Sequence, residues 1–277
     1  MEKSAAEHYT DAFDPSTGKV IAKVPCCTSD EVEEAIASAK KAFPSWAATP
    51  VKKGYKILYR VRELLYEHMD ELTMSVAREN GKAWSEAEGD VLKAIEGTEQ
   101  AISAPSLMMG ESLMDASKGF DTVSYREPLG VFAGIVPFNF PAMIPMGWMT
   151  PICIACGNTI VIKAATFTPQ TCMRIADIYK EAGLPDGVIN IVTCSRNEAE
   201  IFLSHPDIKG ITFVGSTSVG SIFILRQLPG EKGYRLSARQ RTMLLFSRMR
   251  LWSVRRQELS THLSDVQENA VWHFRLW

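Results

Sequence analysis

Three segments of this 277-residue chain contain residue types that could bind a ligand or do chemistry. The first is residues 215–220, GSTSVG, where small residues follow an apolar run. Such a turn exposes backbone N–H groups at a helix N-terminus, where a phosphate is stabilised. Its spacing matches neither the G-x-G-x-x-G dinucleotide motif nor a P-loop with its lysine. A tight strand-to-helix turn without a ligand therefore explains this segment equally well.

The second and third segments each place one polar side chain in apolar surroundings. Lys163 ends the run TIVIK. A lysine at the C-terminal end of a parallel strand often faces a ligand crevice, although a solvated strand end is the alternative. Asn139 lies between Pro137 and Pro141, which restrain the backbone on both sides. A buried amide needs partners, so Asn139 either braces its own loop or donates to an oxyanion, and the pattern alone favours bracing.

The cysteines indicate neither a metal site nor a nucleophile. Cys153 and Cys156 lie three residues apart in the apolar run PICIACG, and no second pair or histidine cluster completes a metal site. We therefore interpret them as core thiols and predict no bound metal. The remaining cysteines have no histidine or other base nearby in sequence; they are Cys26, Cys27, Cys172 and Cys194. Six scattered cysteines also indicate a reducing compartment rather than a disulfide framework.

Residues 128–162 contain no charged side chain, a run of 35 that hydropathy alone would assign to a membrane. Prolines would break a spanning helix repeatedly, so we exclude that interpretation. They are Pro137, Pro141, Pro145 and Pro151. The run instead predicts a strand at 131–136, a helix at about 143–156 and a strand at 158–163, all of them buried.

Helices are expected before this run, and strands and helices alternate after it. Ser29 is expected to cap the first helix, and two further helices are expected at about 51–79 and 85–103. The later elements are a helix at 170–182, a strand at 188–192, a short helix at 197–204, a strand at 210–215 and a helix opening after it. This alternation predicts an α/β fold with a doubly wound parallel sheet behind an N-terminal helical layer.

The net charge of −2 argues against a nucleic-acid or membrane-surface binder. It averages two unlike parts, because residues 1–224 have 20 basic and 28 acidic side chains, whereas residues 225–277 have ten basic and four acidic ones. Such a change of composition marks a boundary. The N-terminus MEKSAAEHYT has neither an apolar signal core nor an Arg-rich transit pattern, so the cytoplasm or the mitochondrial matrix is expected.

Several segments, in this order, resemble the aldehyde dehydrogenase superfamily over about residues 14–224. They are PFNFP, GNTIVIK, GLPDGVINIV and HPDIKGITFVGSTSVG. Within the superfamily, SLMMGES, SYREPLGVFAGIVPFNFPAMIP and AEGDV resemble the CoA-acylating methylmalonate-semialdehyde (malonate-semialdehyde) dehydrogenases. The resemblance implies NAD as coenzyme, CoA as acyl acceptor, a small aldehyde as substrate and a cysteine thiolate as nucleophile.

The resemblance also implies roles for individual residues. Asn139 would donate its amide to the oxyanion. The coenzyme would contact Val136 and Phe138 in its pocket, Lys163 at the adenosine ribose, and Gly215 and Ser216 at the pyrophosphate.

Two departures from the family pattern stand out. The family usually follows this lysine with Pro, a small residue and then Glu-Arg, whereas this chain continues Ala164, Ala165, Thr166, Phe167. A carboxylate that would bind the ribose is therefore missing. The chain also begins just before DPSTG, so the leading strands of the family are expected to be absent.

The Arg-rich segment after about residue 222 does not resemble the family in its own reading frame. The catalytic cysteine, in a GQRC-like segment, is expected well after FVGSTSVG, and no such segment follows. Joining the last base of each codon to the first two of the next, with allowed codons for residues 231–243, gives GERVQALSKAKNHA. Continuation of this shifted frame gives GCAGERC, and both stretches resemble the family. We therefore interpret the tail as out-of-frame translation.

These observations predict a helical layer over residues 1–125, an incomplete Rossmann-like NAD-binding segment over 126–222 and a poorly ordered tail over 223–277. The catalytic domain, the nucleophile and the oligomerisation segment are expected to be absent. Neither dehydrogenase activity nor the family's homo-oligomer is then expected. Two alternatives stay open: a non-catalytic module that binds NAD or a full-length paralogue, and an active enzyme whose sequence contains a frameshift error.

Overall fold

The computed structural model describes residues 4, 6–216 and 219–220, and the backbone of residues 242–245. Its strands are β1 (Tyr9–Phe13), β2 (Val20–Pro25), β3 (Ser112–Ser117), β4 (Phe120–Val123), β5 (Val131–Ile135), β6 (Thr159–Lys163), β7 (Ile189–Val192), β8 (Ile208–Gly215) and β9 (Thr242–Leu245). Its helices are α1 (Ser29–Ala47), α2 (Val51–Glu67), α3 (Met69–Asn80), α4 (Trp84–Ile102), α5 (Ala104–Leu107), a π-helix (Met143–Met149), α6 (Thr150–Ala155), α7 (Gln170–Glu181), α8 (Arg196–Ala199) and α9 (Ile201–Ser204).

The main sheet has the strand order β7-β6-β5-β8-β9. The pairs β5–β6, β6–β7 and β5–β8 are parallel. Every residue of the central strand β5 is buried, as a strand with helices on both faces requires. The expected α/β fold is therefore confirmed, with one difference: β9 pairs antiparallel with β8. The division of the chain at residues 125 and 222 stays a prediction.

Helices cover both faces of this sheet. One apolar cluster joins α1, α8 and α9 to the first face, and a second joins α2, α3, α4, α7 and the π-helix to the opposite face. On the second face α4 and the π-helix meet at their backbones. A Cβ on Gly97 would lie 2.2 Å from the Gly147 carbonyl oxygen, so only glycine fits at this crossing.

Several expected boundaries are corrected by the structure. The helix expected at 51–79 is two helices, because His68 leaves helical geometry at φ −100° and ψ 17°. The helix expected at 143–156 is a π-helix followed by α6. Ser29 is not the cap of α1: the Thr28 hydroxyl accepts from Glu31 N–H, and the Glu31 carboxylate accepts from Thr28 N–H. In the part of the chain that the structure describes, no helix is long and apolar enough to cross a membrane.

Two hairpins lie beside the main sheet. Strand β2 pairs antiparallel with the preceding strand β1 and forms the first hairpin. Strands β3 and β4 form the second hairpin, and all of their residues are exposed. The helix expected to open after residue 215 is present at residues 219–220, and its continuation lies outside the described residues.

Candidate functional site

The predicted site residues lie at one edge of the main sheet. In the parallel register Ile135 of β5 pairs with Lys163 of β6 on one side and with Phe213 of β8 on the other. The C-terminal ends of the three strands therefore meet at the same edge. In open parallel sheets the ligand crevice lies at this edge, where the loops after the strands diverge.

A pocket of about 380 Å³ opens at the ends of β5 and β6. It is lined by Thr10, Val136, Pro137, Phe138, Lys163, Ala165, Thr166 and Phe167. The structure thus brings together three of the predicted coenzyme-binding residues. They are Val136 directly after β5, Phe138 in the loop that follows, and Lys163 at the end of β6. The rings of Phe138 and Phe167 meet edge to face at 6.5 Å between centroids. Both rings are more than half exposed, so the pocket has an open aromatic rim.

The charge of this pocket comes from one side chain. Among its lining residues only Lys163 is ionisable, and Lys163 forms no ion pair with any residue that the structure describes. The segment that replaces the family's Glu contributes Ala165, the Thr166 hydroxyl and the Phe167 ring. The pocket therefore combines an ammonium group, hydroxyls and aromatic surface, which is a donor set suited to an anionic ligand with an aromatic group.

Gly215 and Ser216 lie at the end of the adjacent strand β8 and do not line this pocket. A Cβ on Gly215 would lie 2.4 Å from the Phe213 ring, so a side chain there would displace the ring. Beyond them, Gly220 N–H donates to the Ser216 carbonyl at 3.0 Å and closes the first helical turn. Contact of Gly215 and Ser216 with a pyrophosphate stays a prediction.

Asn139 does not brace its loop through its side chain. Its Oδ1 atom is buried and has no hydrogen-bond partner among the described residues. The loop is held by neighbours instead, because the Phe138 carbonyl accepts from Asn80 Nδ2 at 2.8 Å and from Thr168 Oγ1 at 3.1 Å. Leaving a buried amide oxygen without a partner costs about 1–3 kcal/mol, so this amide fits a group kept available for a ligand.

The other end of the same loop is held by a buried ion pair. Met143 N–H donates to Asp90 Oδ1 at 2.8 Å, and Lys82 Nζ lies 2.9 Å from Asp90 Oδ2. The Lys82 ammonium also lies 4.0 Å from the centre of the Phe140 ring. Burial raises the pKa of Asp90, and the charge of Lys82 opposes that rise. Sequence reasoning missed this brace, because Lys82, Asp90 and the loop share no short-range spacing.

The C-terminal end of α3 also holds the start of α7, in addition to the Phe138 carbonyl that Asn80 contacts. Glu79, next to Asn80, accepts from the first N–H groups of α7, Gln170 at 2.8 Å and Thr171 at 3.0 Å. Burial raises the pKa of Glu79, while these hydrogen bonds lower it. Thus α3 ties the Asn139 loop and the start of α7 to the helical layer.

None of four thiols is prepared for nucleophilic attack. Burial raises the pKa of Cys153, Cys156, Cys172 and Cys194, the last to about 12. The two other cysteines contact hydroxyls, Cys26 at 3.3 Å from Thr10 Oγ1 and Cys27 at 3.9 Å from Thr193 Oγ1. Among the residues with a described position, no group of His, Cys, Asp and Glu could hold a metal ion.

A larger groove of about 680 Å³ lies between α1, α7 and β7. It contains none of the predicted site residues, and its charged side chains are of both signs, among them Glu31, Asp177, Arg174 and Lys180. Among its described lining residues, the groove thus has neither a predicted site residue nor charge of a single sign. The pocket at the ends of β5 and β6 is therefore the better candidate site.

Comparison with known proteins identifies this arrangement. Residues 1–237 match the aldehyde dehydrogenase family. This chain belongs to the aldehyde dehydrogenase family. It is 49% identical over 206 residues to malonate-semialdehyde dehydrogenase 2 of Geobacillus kaustophilus, a match that covers 74% of this chain and 42% of the relative. The chain thus spans less than half the length of the curated relatives that it matches.

Solved aldehyde dehydrogenase structures have the same fold. Methylmalonate-semialdehyde dehydrogenase from Oceanimonas doudoroffii superposes with a TM-score of 0.80 at 36% identity, covering 83% of this chain and 47% of that chain. A structure from Sinorhizobium meliloti 1021, complexed with NAD, has a TM-score of 0.79 at 36% identity and covers 82% of this chain and 46% of that one. The predicted family and fold are therefore confirmed.

Proposed function

We propose that this chain contains the coenzyme-binding part of an NAD-dependent, CoA-acylating malonate- or methylmalonate-semialdehyde dehydrogenase, and that the 277-residue chain itself does not oxidise aldehydes. The observation that carries the proposal is the pocket at the ends of β5 and β6. Among the residues that the structure describes, its Lys163 forms no ion pair, and the buried Oδ1 of Asn139 in the adjoining loop has no hydrogen-bond partner. The substrate class is supported by the names of the relatives and solved structures most similar to the chain.

The residues of the pocket fit a dinucleotide. Lys163 supplies a cation for a ribose or phosphate oxygen, and the exposed rings of Phe138 and Phe167 offer a surface for an aromatic base. Gly215 and Ser216 offer a strand-to-helix turn beside it for a pyrophosphate. When bound, NAD supplies the hydride acceptor of aldehyde oxidation.

Asn139 is the oxyanion donor of the proposal. The side-chain amide has a carbonyl at one end and two N–H donors at the other, and a half-turn about its last bond exchanges them. Because the braces at Phe138 and Met143 fix the backbone of the loop, this rotation of the side chain is the only change that the proposal requires of the loop to present its donor to a substrate oxygen.

The lack of a prepared thiol supports the inactivity of this chain. A thiolate attacks the aldehyde only where a lowered pKa or an adjacent base produces it. Four described thiols have pKa values raised by burial, and the contacts of Cys26 and Cys27 are with threonine hydroxyls. The interpretation of residues 223–277 as out-of-frame translation belongs to the same proposal.

Calorimetric titration of the purified chain with NAD tests the coenzyme site, and absorbance of NADH in the presence of malonate semialdehyde and CoA tests the activity. We expect saturable binding that is lost in Lys163→Met, and no NADH. Circular dichroism of Lys163→Met controls for folding. Absence of heat at millimolar NAD would contradict the binding site, and any sustained NADH formation would contradict the inactivity. Sequencing the gene around codons 218–228 distinguishes a genuine frameshift from an error in the sequence.

A further inference from the structure

Two cysteines meet where the first helix of the chain joins the main sheet. We propose that Cys27 and Cys194 form a reversible disulfide when the chain is exposed to a peroxide, which ties the start of α1 to the end of β7. The proposal does not depend on the proposed function, because neither cysteine lines the pocket at the ends of β5 and β6.

Both cysteines occupy the same place relative to their elements. Cys27 lies between β2 and Thr28, the cap of α1, and Cys194 lies between β7 and Ser195, the cap of α8. Each cap is a capping box, in which the hydroxyl and a glutamate three residues later accept from each other's backbone N–H groups. The backbone that follows each cysteine is therefore held in place.

A backbone hydrogen bond brings the two residues side by side. Cys27 N–H donates to the Thr193 carbonyl, which belongs to the peptide group of Cys194, at 2.7 Å. In the main sheet the same pattern joins Ile160 with its parallel neighbour Ile189. Neighbours of this kind are separated by about 5 Å, and a disulfide spans Cα atoms about 4.4–6.8 Å apart. The backbone thus places the two cysteines within the range of one disulfide.

The two side chains also share one apolar cluster. Cys27 packs against the cluster on the α1 face of the sheet, which contains Cys194. Burial raises the pKa of Cys194 to about 12, with Lys163 opposing the rise and Cys27 adding to it, an electrostatic effect that requires the thiols to be close. The Cys27 sulfur lies 3.9 Å from Thr193 Oγ1, and rotation about the Cα–Cβ bond turns it from this hydroxyl toward Cys194.

The surroundings of the two thiols decide which one reacts first. Cys27 is partly exposed and lines the groove of about 680 Å³, whereas Cys194 is 3% exposed. A peroxide therefore reaches Cys27. The Cys27 thiolate attacks one oxygen of hydrogen peroxide, the O–O bond breaks, and Cys27 becomes a sulfenic acid while the hydroxide that leaves takes up the proton lost by the thiol.

The second step closes the disulfide. The Cys194 sulfur attacks the Cys27 sulfur, the S–O bond breaks, and the leaving hydroxide takes the Cys194 proton to form water. In total two thiols are oxidised to one disulfide, and one hydrogen peroxide is reduced to two waters. Cys194 is not prepared to attack a free substrate, but the sulfenic acid is held beside it, and proximity replaces an encounter between molecules.

The neighbouring Cys26 is held on another side and supplies the matched control. Its sulfur lies 3.3 Å from Thr10 Oγ1 in β1, and its N–H donates to the His8 carbonyl at 2.9 Å. The structure describes all six cysteines, and the remaining three lie in or next to α6 and α7. Of the six, Cys27 is therefore the one placed beside Cys194.

The test treats the full 277-residue chain with equimolar hydrogen peroxide at about pH 8, denatures it, alkylates it with iodoacetamide and maps its peptides without reduction. We expect the alkylated thiols to fall from six to four, with Cys27 and Cys194 joined in one peptide pair that dithiothreitol separates. The bond closes a loop of more than 160 residues, so the urea midpoint of the oxidised chain should rise and return on reduction.

Three variants assign the roles. Cys194→Ala should leave the Cys27 sulfenic acid unresolved, so that dimedone labels Cys27 there and much less in the unmodified chain. Cys27→Ala should form no disulfide and show no rise in the urea midpoint, whereas Cys26→Ala should form the same disulfide as the unmodified chain. The peptide map of the unmodified chain decides the proposal if a variant does not fold.

Several results would overturn the proposal. They are six alkylated thiols after treatment, a disulfide within Cys26–Cys27 or Cys153–Cys156 instead, and a cross-link between two chains whose yield grows with protein concentration. Dimedone labelling of Cys194 rather than Cys27 would overturn the order of the two steps. An unchanged urea midpoint despite the expected peptide pair would overturn the tie between α1 and the sheet.

Discussion

Replacement of Lys82 by Met tests whether the buried Lys82–Asp90 pair holds the loop that contains Asn139. Met keeps the aliphatic stem of the side chain and a contact with the Phe140 ring, so the charge is the main loss. The Asp90 side chain is 0% exposed and that of Lys82 is 14% exposed. Lys82→Met therefore leaves a carboxylate buried without its cation, with the Met143 N–H at 2.8 Å among its remaining donors.

The expected loss in the free energy of unfolding is about 3 kcal/mol, the lower end of the range for breaking a buried ion pair, because Lys82 retains some contact with water. The matched control is Lys93→Met on α4. Lys93 Nζ lies 2.6 Å from Glu96, closer than the 2.9 Å of the buried pair, yet both side chains are 56% exposed. Distance alone ranks the exposed pair as the stronger one, whereas burial predicts a loss of at most about 0.5 kcal/mol there.

The loss in Lys82→Met is expected to depend on pH. Without the cation, the pKa of Asp90 rises further above its ordinary range, and the folded state then binds more protons than the unfolded state over the window between the two pKa values. Stability in that window falls as pH rises, so the loss is smaller at about pH 5 than at about pH 8.

Urea unfolding, monitored by tryptophan fluorescence, measures these changes. Trp46 is a suitable reporter because it is buried and its indole N–H donates a hydrogen bond to the Ile154 carbonyl at 3.1 Å. In the Asp90→Asn variant no carboxylate is left unpaired, so adding Lys82→Met should cost under about 1 kcal/mol. The coupling energy between Lys82 and Asp90 is then about 2 kcal/mol or more. Additive losses in the double variant, or equal losses for Lys82→Met and Lys93→Met, would refute the reasoning.

Two further predictions concern the cap of α1 and the thiols. Thr28→Ala should cost about 1 kcal/mol in urea unfolding, because it removes the acceptor for Glu31 N–H, while Ser29→Ala at the first helical residue should change stability by at most about 0.3 kcal/mol. Equal effects would contradict the assignment of Thr28 as the cap. At about pH 8, iodoacetamide should label Cys153, Cys172 and Cys194 slowly in the folded chain and rapidly in urea, as followed by mass spectrometry of peptides, because burial raises their pKa values. Rapid labelling of Cys194 in the folded chain would contradict its burial.

The strands that build the site could be predicted from the sequence, because each one is a short apolar run bounded by turn residues. Strands β5, β6 and β8 lie within a residue or two of the expected positions. Once they are placed in a parallel sheet, Val136, Lys163 and Gly215 must lie at one edge. This edge and the pattern PFNFP were enough to find the pocket, because both are local in sequence.

Other features had a local signal that was misinterpreted, or no local signal. The spacing Thr28-x-x-Glu31 is a capping box, which identifies Thr28 rather than Ser29 as the cap. The break at His68 has neither Gly nor Pro to mark it. The π-helix contains Pro145, whose carbonyl accepts from the Thr150 hydroxyl at 2.7 Å, and its backbone approaches that of α4 closely at Gly147. That contact joins residues about fifty positions apart, which a periodic pattern does not reveal.

The braces of the Asn139 loop also show that the helical layer belongs to the site. Asn80 of α3 and Asp90 of α4 form hydrogen bonds with Phe138 and Met143 in the segment with the Rossmann-like strands, and Lys82, between the two helices, pairs with Asp90. The apolar cluster that contains Leu64 and Val91 also contains Ile160, so the two parts share one core. A piece cut at residue 125 would lose the partners of this loop and the cover of one face of the sheet. The geometry of the Asn139 loop is therefore a property of the helices and the sheet together, and the division of the chain at residue 125 stays a prediction.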